Sequence, residues 1–213
     1  MQEILFVDKP KGMSSFSVIR ALRKKLKIRK MGHAGTLDPL ATGLLIIGIG
    51  SGTKKLAGYF NLPKVYLVDI LLGKRTDTGD ITGKVVEEQV VQEVDEKKVR
   101  EVLRSLEGVV EMPVPLYSAA KHKGQPFYKY ARKKIQLEPR MRRSEIFYIN
   151  LLEVKRADGL ILTIEMKCQK GTYARSVAEE IGKRLGIPAT VCDLRRLAVG
   201  DISVSQAKRI DEF

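Results

Sequence analysis

The run Gly43-Leu44-Leu45-Ile46-Ile47-Gly48-Ile49 contains no polar side chain. A segment this short, this apolar and this rich in branched residues has the pattern of a strand buried on both faces. Hydrophobic residues make up 44% of the 213 in the chain, near the globular norm, so there is material to cover such a strand. The length, with no internal repeat and no linker, leads to the expectation of one domain over 1–213.

The segments around that strand alternate in type. Ile4–Val7 reads as a short strand closed by Asp8-Lys9-Pro10-Lys11-Gly12, after which Ser14 or Ser15 caps a basic amphipathic helix with Val18, Ile19, Leu22 and Leu26 at helical spacing. Thr53–Phe60 predicts a short helix, and Val65–Leu72 and Lys84–Val91 predict a hairpin with a polar tip at residues 76–83. Asp95 caps a helix that runs to Gly108, with Met112-Pro113-Val114-Pro115 ending it, and a shorter helix is expected over Phe127–Lys133. Ile146–Lys155 and Leu160–Cys168 flank Asp158-Gly159 as a second hairpin. A helix over Thr172–Leu185 stops at Gly186 with Pro188 beyond, a strand follows over Ala189–Val199, and a short helix is expected near Ser205–Ile210. Hairpins dominate the order. The fold class is therefore α+β, with a mixed, mostly antiparallel sheet flanked by helices.

Charge narrows the partner. With 39 Lys and Arg against 25 Asp and Glu the net charge is +14, which makes a polyanion, nucleic acid above all, the natural ligand. The basic segments are spread along the chain rather than gathered on one juxtamembrane cluster, and no run approaches the roughly 18 to 20 apolar residues of a membrane span. No secretory leader is visible at the N-terminus, so a cytoplasmic protein without a membrane partner is expected. Cys168 and Cys192 stand without a CxxC pair or a neighbouring His, so neither a disulfide framework nor a metal site is expected. Gly48-Ile49-Gly50-Ser51-Gly52-Thr53-Lys54 fails both nucleotide-binding glycine patterns, since Thr53 stands where each needs Gly. We expect no cofactor.

The loop Gly32-His33-Ala34-Gly35-Thr36-Leu37-Asp38-Pro39-Leu40-Ala41-Thr42-Gly43 is different in kind. Its glycines allow close backbone approach to a ligand, and Pro39 restricts Asp38 to extended geometry, so one carboxylate is presented from a stiff turn ahead of the buried strand. Such a carboxylate serves as a nucleophile, as a base or, with no comparison to guide the choice, as a turn former.

The string GHAGTLDPLATGLL at Gly32–Leu45 resembles the signature of the bacterial tRNA pseudouridine synthases of the TruB family. Further blocks follow in family order: VDKPKGMSSF from Val7, Lys64-Val65-Tyr66, the segment from Leu72 to Asp80, the run from Pro115 to Arg132, Lys170–Arg175 and Leu194–Leu197. The resemblance spans essentially the whole chain. It implies the pseudouridine synthase fold and isomerisation of the T-loop uridine at tRNA position 55, in which the N1–C1′ bond breaks, the uracil turns and C5 bonds to C1′. The reaction needs a flipped base, a carboxylate near it and removal of the C5 proton.

What the resemblance implies for single residues follows from matching positions. Asp38 is the essential carboxylate, acting at C1′, C6 or C2′. Arg175 pairs with it and keeps it ionised. Tyr66 stacks on the uracil and assists at C5; Tyr173 and Leu194 shape the uridine pocket; His33 contacts RNA beside the extruded nucleotide. Lys9, Lys121, Lys129, Arg132 and Arg142 meet RNA, the last four in a basic insertion of about residues 117–143 where Phe127, Tyr128 and Tyr130 are interleaved with the cations. The basic helix from Arg20 to Lys30 fits the same electrostatics. Two details of the insertion depart from the family, which commonly has Gly at Lys134 and Pro-Ile near Arg143-Ser144. Typical members continue after a segment like Asp201–Phe213 into a small PUA domain, which is not expected here. A monomer acting on a tRNA T-stem-loop is the expected assembly. The competing class is an RNA chaperone, which has no use for a negative charge at position 38.

Overall fold

A computed structural model describes residues 3–133, 135 and 137–213, the side chain of Arg132 excepted. In chain order its elements are β1 (Ile4–Lys9), α1 (Ser15–Leu26), β2 (Met31–Ala34), β3 (Thr42–Ile49), α2 (Leu56–Phe60), β4 (Lys64–Leu72), β5 (Lys74–Thr76), β6 (Val85–Glu88), α3 (Glu96–Arg104), β7 (Gly108–Pro113), β8 (Lys121–His122), β9 (Gln125–Pro126), α4 (Phe127–Arg132), β10 (Met141–Arg156), β11 (Leu160–Cys168), α5 (Ala174–Leu185), β12 (Ala189–Val199) and β13 (Ile202–Ser203). The chain folds as two compact units. One holds residues 1–67, 167–170 and 193–213, the other residues 68–166 and 171–192.

The first unit is built around β3. Antiparallel β1 runs along one side of it from Ile4 opposite Gly48 to Lys9 opposite Gly43. On its other side lie antiparallel β2, with Ala34 opposite Ile46, and parallel β12, with Arg196 opposite Gly43. The pleat then sends alternate residues to two cores. Leu45, Ile47 and Ile49 join Leu5, Val7, Val18, Ile19 and Leu22 under α1, while Leu44 and Ile46 join Ala34, Leu56 and Val199 on the opposite face. Each such side chain contributes about 1.5 to 3 kcal/mol through burial. This is the two-sided strand that the apolar run requires. α1 starts where Ser14 accepts the Ser17 N–H at 3.0 Å, and its last turn carries Arg23, Lys24 and Lys25, favourable at the negative end of the helix dipole.

In the second unit the strands run in the order β4-β11-β10-β7, with β10 and β7 antiparallel from Met141 opposite Pro113 to Ile146 opposite Gly108. The hairpin expected between Val65–Leu72 and Lys84–Val91 is corrected: β4 lies in the large sheet, and β6 pairs instead with the short β5, Lys74 opposite Glu88. Asp95 caps α3 by accepting the Lys97 N–H at 2.8 Å, and α5 ends at Gly186 in the left-handed conformation (φ 73°). Three other sequence expectations are corrected. Residues 31–34 are a strand rather than part of the Gly-rich loop, and the helix capped by Asp95 ends at Arg104, short of the expected Gly108, with residues 108–113 a strand held by β10 far along the chain. The helix expected near Ser205–Ile210 is replaced by two single 3₁₀ turns, at Val204–Gln206 and Ile210–Glu212. Among the described residues no helix is long and apolar enough to cross a membrane.

Candidate active site

Asp38 sits half-buried between β2 and β3, on a loop fixed at both ends and in its middle. Within the loop the Ala41 N–H donates to the Asp38 carbonyl at 3.1 Å. From outside, Gly12 N–H donates to Pro39 O at 2.8 Å, and the buried Ser15 hydroxyl donates to Leu37 O at 3.1 Å while accepting Leu37 N–H at 2.9 Å. The VDKPKGMSSF segment is thus the clamp of the Asp38 loop. Such backbone fixation presents the carboxylate with little entropy left to lose on binding substrate.

Three buried cations spend their donors on carbonyls, and two of them, Lys9 and Arg196, do so against this loop. Lys9 is 0% exposed, and its Nζ donates to Met13 O at 2.5 Å, Pro10 O at 2.9 Å and Pro39 O at 3.4 Å. Burial drives its pKa down to about 8, opposed by the Asp38 carboxylate and reinforced by the Arg196 charge. A phosphate cannot reach an ammonium so enclosed, so the RNA contact expected of Lys9 gives way to a loop-holding role. Arg196 is 1% exposed; its Nε donates to Leu44 O at 2.7 Å and its Nη2 to Gly35 O at 3.2 Å. Lys64 donates to Phe60 O at 2.7 Å and Leu62 O at 2.6 Å, closing the C-terminus of α2, and burial lowers its pKa to about 8 as well. Beside them Arg195 grips Asp8 with both ends of its guanidinium, at 3.0 and 2.7 Å.

Burial, with the Arg196 charge as the next influence, sets the protonation of the aromatic groups around Asp38. Tyr66, half-buried near the start of β4, has its phenol pushed up by burial, with Cys168 and Asp38 adding to the rise and Arg196 opposing it through charge and a hydrogen bond. It stays a neutral phenol at physiological pH. His33, on β2, is lowered by burial and by the Arg196 charge, against a hydrogen bond with the Gly35 backbone, and is a neutral imidazole at pH 7. Leu194 is buried on β12, where its carbonyl accepts the Thr42 hydroxyl at 3.4 Å. The first unit therefore gathers Asp38, Tyr66, His33 and Leu194, together with Lys9, Lys64 and Arg196.

The other expected residues belong to the second unit. Arg175 is buried in the first turn of α5; its Nη1 donates to Thr78 O at 2.8 Å and its Nη2 to Tyr117 O at 3.0 Å. Tyr173, half-buried, is the residue that caps the same helix. Lys121 and Lys129 are exposed, on the β8–β9 hairpin and on α4. Arg142 is exposed on β10 with its guanidinium lying against Gly171. The Arg132 side chain and Lys134 lie outside the described residues. The interleaved aromatics are a finding of their own: Phe127 is buried, His122 meets Phe127 and Tyr130 edge-on at 6.2 and 5.6 Å, and the Tyr130 hydroxyl donates to His122 O at 3.1 Å. These rings build the interior of the small hairpin–helix motif and leave its lysines outside.

Lys64, Arg195 and Arg196 fall in blocks that carried the resemblance, yet no role was assigned to them. Strand alternation was the available signal. Leu5, Val7 and Lys9 share one face of β1, and Leu194 and Arg196 share one face of β12, so period 2 places Lys9 and Arg196 inside and Arg195 on the other face. Among the described residues no group of three His, Cys, Asp or Glu is placed to hold a metal ion.

A model of the TruB family pseudouridylate synthases (N terminal domain) matches residues 23–174. The tRNA pseudouridine synthase B of Syntrophotalea carbinolica is 39% identical over 211 residues, which are 99% of this chain and 68% of that protein. The protein of the same name from Bordetella avium is 40% identical over 98% of this chain and 85% of its own length, and that of Thermotoga petrophila 44% identical over 98% and 66%. Of the solved structures, a chain from a Cbf5-Nop10-Gar1 complex matches with a TM-score of 0.74 at 25% identity, and one from an H/ACA RNP bound to a substrate RNA containing 2′-deoxyuridine with 0.72 at 23%. Each match takes in 98% of this chain but only 54% and 51% of the other; the second shows a shared fold.

Proposed function

The chain belongs to the TruB family of pseudouridylate synthases, and we propose that it isomerises uridine to pseudouridine at position 55 in the T loop of tRNA with Asp38 as its essential carboxylate. The observation that carries this reading is the half-buried Asp38 on a loop clamped from Gly12 and Ser15 and underlain by Lys9 and Arg196. A carboxylate fixed among cations stays available for attack or proton abstraction. The names of the relatives, all tRNA pseudouridine synthase B, support tRNA as the substrate.

In the reaction the uridine leaves its stack, the N1–C1′ bond breaks, the uracil turns and the C5–C1′ bond forms, after which C5 gives up its proton and N1 gains one. Asp38 acts at C1′, C6 or C2′. Arg175 pairs with Asp38. Tyr66 stacks on the uracil, its neutral phenol facing the ring; Tyr173 and Leu194 shape the pocket, and His33 fills space beside the extruded nucleotide. Lys121, Lys129, Arg132 and Arg142, in the insertion of about 117–143, hold phosphates of the stem-loop. The chain works as a single catalytic domain and as a monomer in the cytoplasm. The test is tritium release from a T-stem-loop transcript carrying C5-tritiated uridine, beside a transcript with cytidine at the target position. Release from the first alone is expected; equal release from both, with tritiated uridines elsewhere in the loop, removes the assignment to position 55.

A further inference from the structure

No Asp or Glu occurs between Asp8 and Asp38, a stretch that carries nine cations: Lys9, Lys11, Arg20, Arg23, Lys24, Lys25, Lys27, Arg29 and Lys30. The structure sorts them. Lys9 is buried on carbonyls, Lys11 pairs with Asp193 at 2.9 Å, and Lys25 donates to the carbonyls of Ile210 and Asp211. Those three are engaged in the fold. Among the described residues, Arg20, Arg23, Lys24 and Lys27 have no carboxylate partner; Arg20, Lys24 and the C-cap residue Lys27 are exposed, while Arg23 is half-buried and donates Nη2 to Met31 O at 3.2 Å.

The same helix carries Phe16, which is 54% exposed although it opens a helix that buries Ser15, Val18, Ile19 and Leu22. The Arg20 and Arg23 guanidinium carbons lie 5.7 and 5.8 Å from its ring centroid, within cation–π range. Positions 16, 20, 23 and 27 follow the i, i+4, i+7, i+11 rule of one helix face. A half-exposed aromatic ring with two guanidinium groups near it, on a face with no negative charge, offers an unpaired base a stacking surface and its phosphates a counter-charge. Ser15, the neighbour of Phe16, is the residue that clamps Leu37, so this face starts at the Asp38 loop and extends away from it for about 18 Å along twelve helical residues.

We propose that the outer face of α1 is a second RNA-binding surface, with Phe16 as the stacking platform for an unpaired base and Arg20, Arg23, Lys24 and Lys27 as the phosphate contacts around it. The surface is separate from the 117–143 insertion. It rests on the synthase reading only in taking RNA as the ligand, and it gives the strand leading to the target uridine a place to lie.

The test is fluorescence anisotropy of a 5′-fluorescein T-stem-loop transcript with wild type, Phe16→Ala, Phe16→Leu, Phe16→Trp and the double variant Arg20→Gln/Arg23→Gln, each over a series of salt concentrations. Phe16→Ala and Phe16→Leu are expected to weaken binding about ten-fold with the salt slope unchanged, and Phe16→Trp to restore it. The double variant is expected to weaken binding and to flatten the slope by about 1.4, two contacts at roughly 0.7 each. Thermal melts identify any variant that is not folded, and Phe16→Trp, which keeps the ring, carries the decision in that case. Binding by Phe16→Leu within two-fold of wild type overturns the proposal, as does Phe16-dependent binding to phosphatidylserine vesicles with no Phe16 dependence on RNA. Anisotropy reads binding without turnover. A protein that binds through Phe16 yet releases no tritium would leave this surface standing and remove the synthase reading instead.

Discussion

Lys9, Lys64 and Arg196 in the first unit and Lys121, Lys129 and Arg142 in the second are the same chemical groups put to opposite uses. The first three are buried, and their donors are spent on the carbonyls of residues 10, 13, 39, 60, 62, 35 and 44. The second three stand in solvent, on a hairpin, a short helix and the outer part of a long strand. A cation whose donors are already occupied cannot exchange them for a phosphate without leaving buried carbonyls unpaired, a loss of about 1 to 3 kcal/mol for each group. An exposed one exchanges only water and counterions, and gains affinity by doing so. A net charge of +14 is therefore not all available to RNA; part of it is architecture for the Asp38 loop.

The strongest way to break this contrast is at the backbone that the buried Arg196 borders. Gly43 has φ 98°, and an added Cβ would run into the backbone of Arg196. Gly43→Ala is expected to lower stability by more than about 2 kcal/mol in urea melts, through both strain and collision. An unchanged melt would mean that this part of β3 and β12 is looser than described. Lys64→Met, next in size, should cost about 1 to 3 kcal/mol by leaving carbonyls at the end of α2 without a donor. Its pH dependence has a definite sign. The folded-state pKa of about 8 lies below the ordinary lysine value of 10.5, so between those values the unfolded chain binds more protons and stability rises with pH. The gap between wild type and Lys64→Met should widen from pH 8 to 10, and a narrowing gap would contradict a buried ammonium.

Two smaller effects sharpen the comparison. Lys129→Gln should weaken stem-loop binding several-fold and flatten its salt slope by about 0.7, whereas Lys9→Met should destabilise the fold and leave the slope as it is. A slope change for Lys9→Met would put that ammonium on RNA. Last, since burial and Arg196 hold the His33 imidazole below its ordinary value of 6.5, the ratio of RNA affinities of wild type and His33→Gln should stay flat from pH 6.5 to 8. A step within that window would show a titrating His33.

The parts of this molecule fixed by local chemistry were legible in the sequence. The apolar run of β3, the Ser14 and Asp95 caps and the Gly186 stop all act within a few residues, and each stands where the pattern places it. β2 and β7 were not legible: β2 has only four residues and runs into the glycine-rich stretch, and β7 owes its state to β10, far along the chain. Asp38 stood out by its Pro and its glycines, but its support did not. A lysine ending β1 and an arginine in β12 look like surface charge until strand alternation is carried through to them, and the carbonyls they satisfy come from loops that only the tertiary fold brings near. Phe127 and Tyr130 show the reverse: their interleaving with lysines was legible, but their packing on His122, which only the folded hairpin and helix bring about, was not.

The central claim is that the clamped Asp38 carries the chemistry while the exposed cations carry the binding. Tritium release from a C5-tritiated T-stem-loop by wild type and by Asp38→Asn, with stem-loop affinity measured on the same preparations, tests it most directly. The account predicts that Asp38→Asn loses at least about a thousand-fold in release with affinity within about three-fold of wild type, as expected when only the charge of one half-buried side chain is removed. Release by Asp38→Asn near the wild-type rate would contradict it.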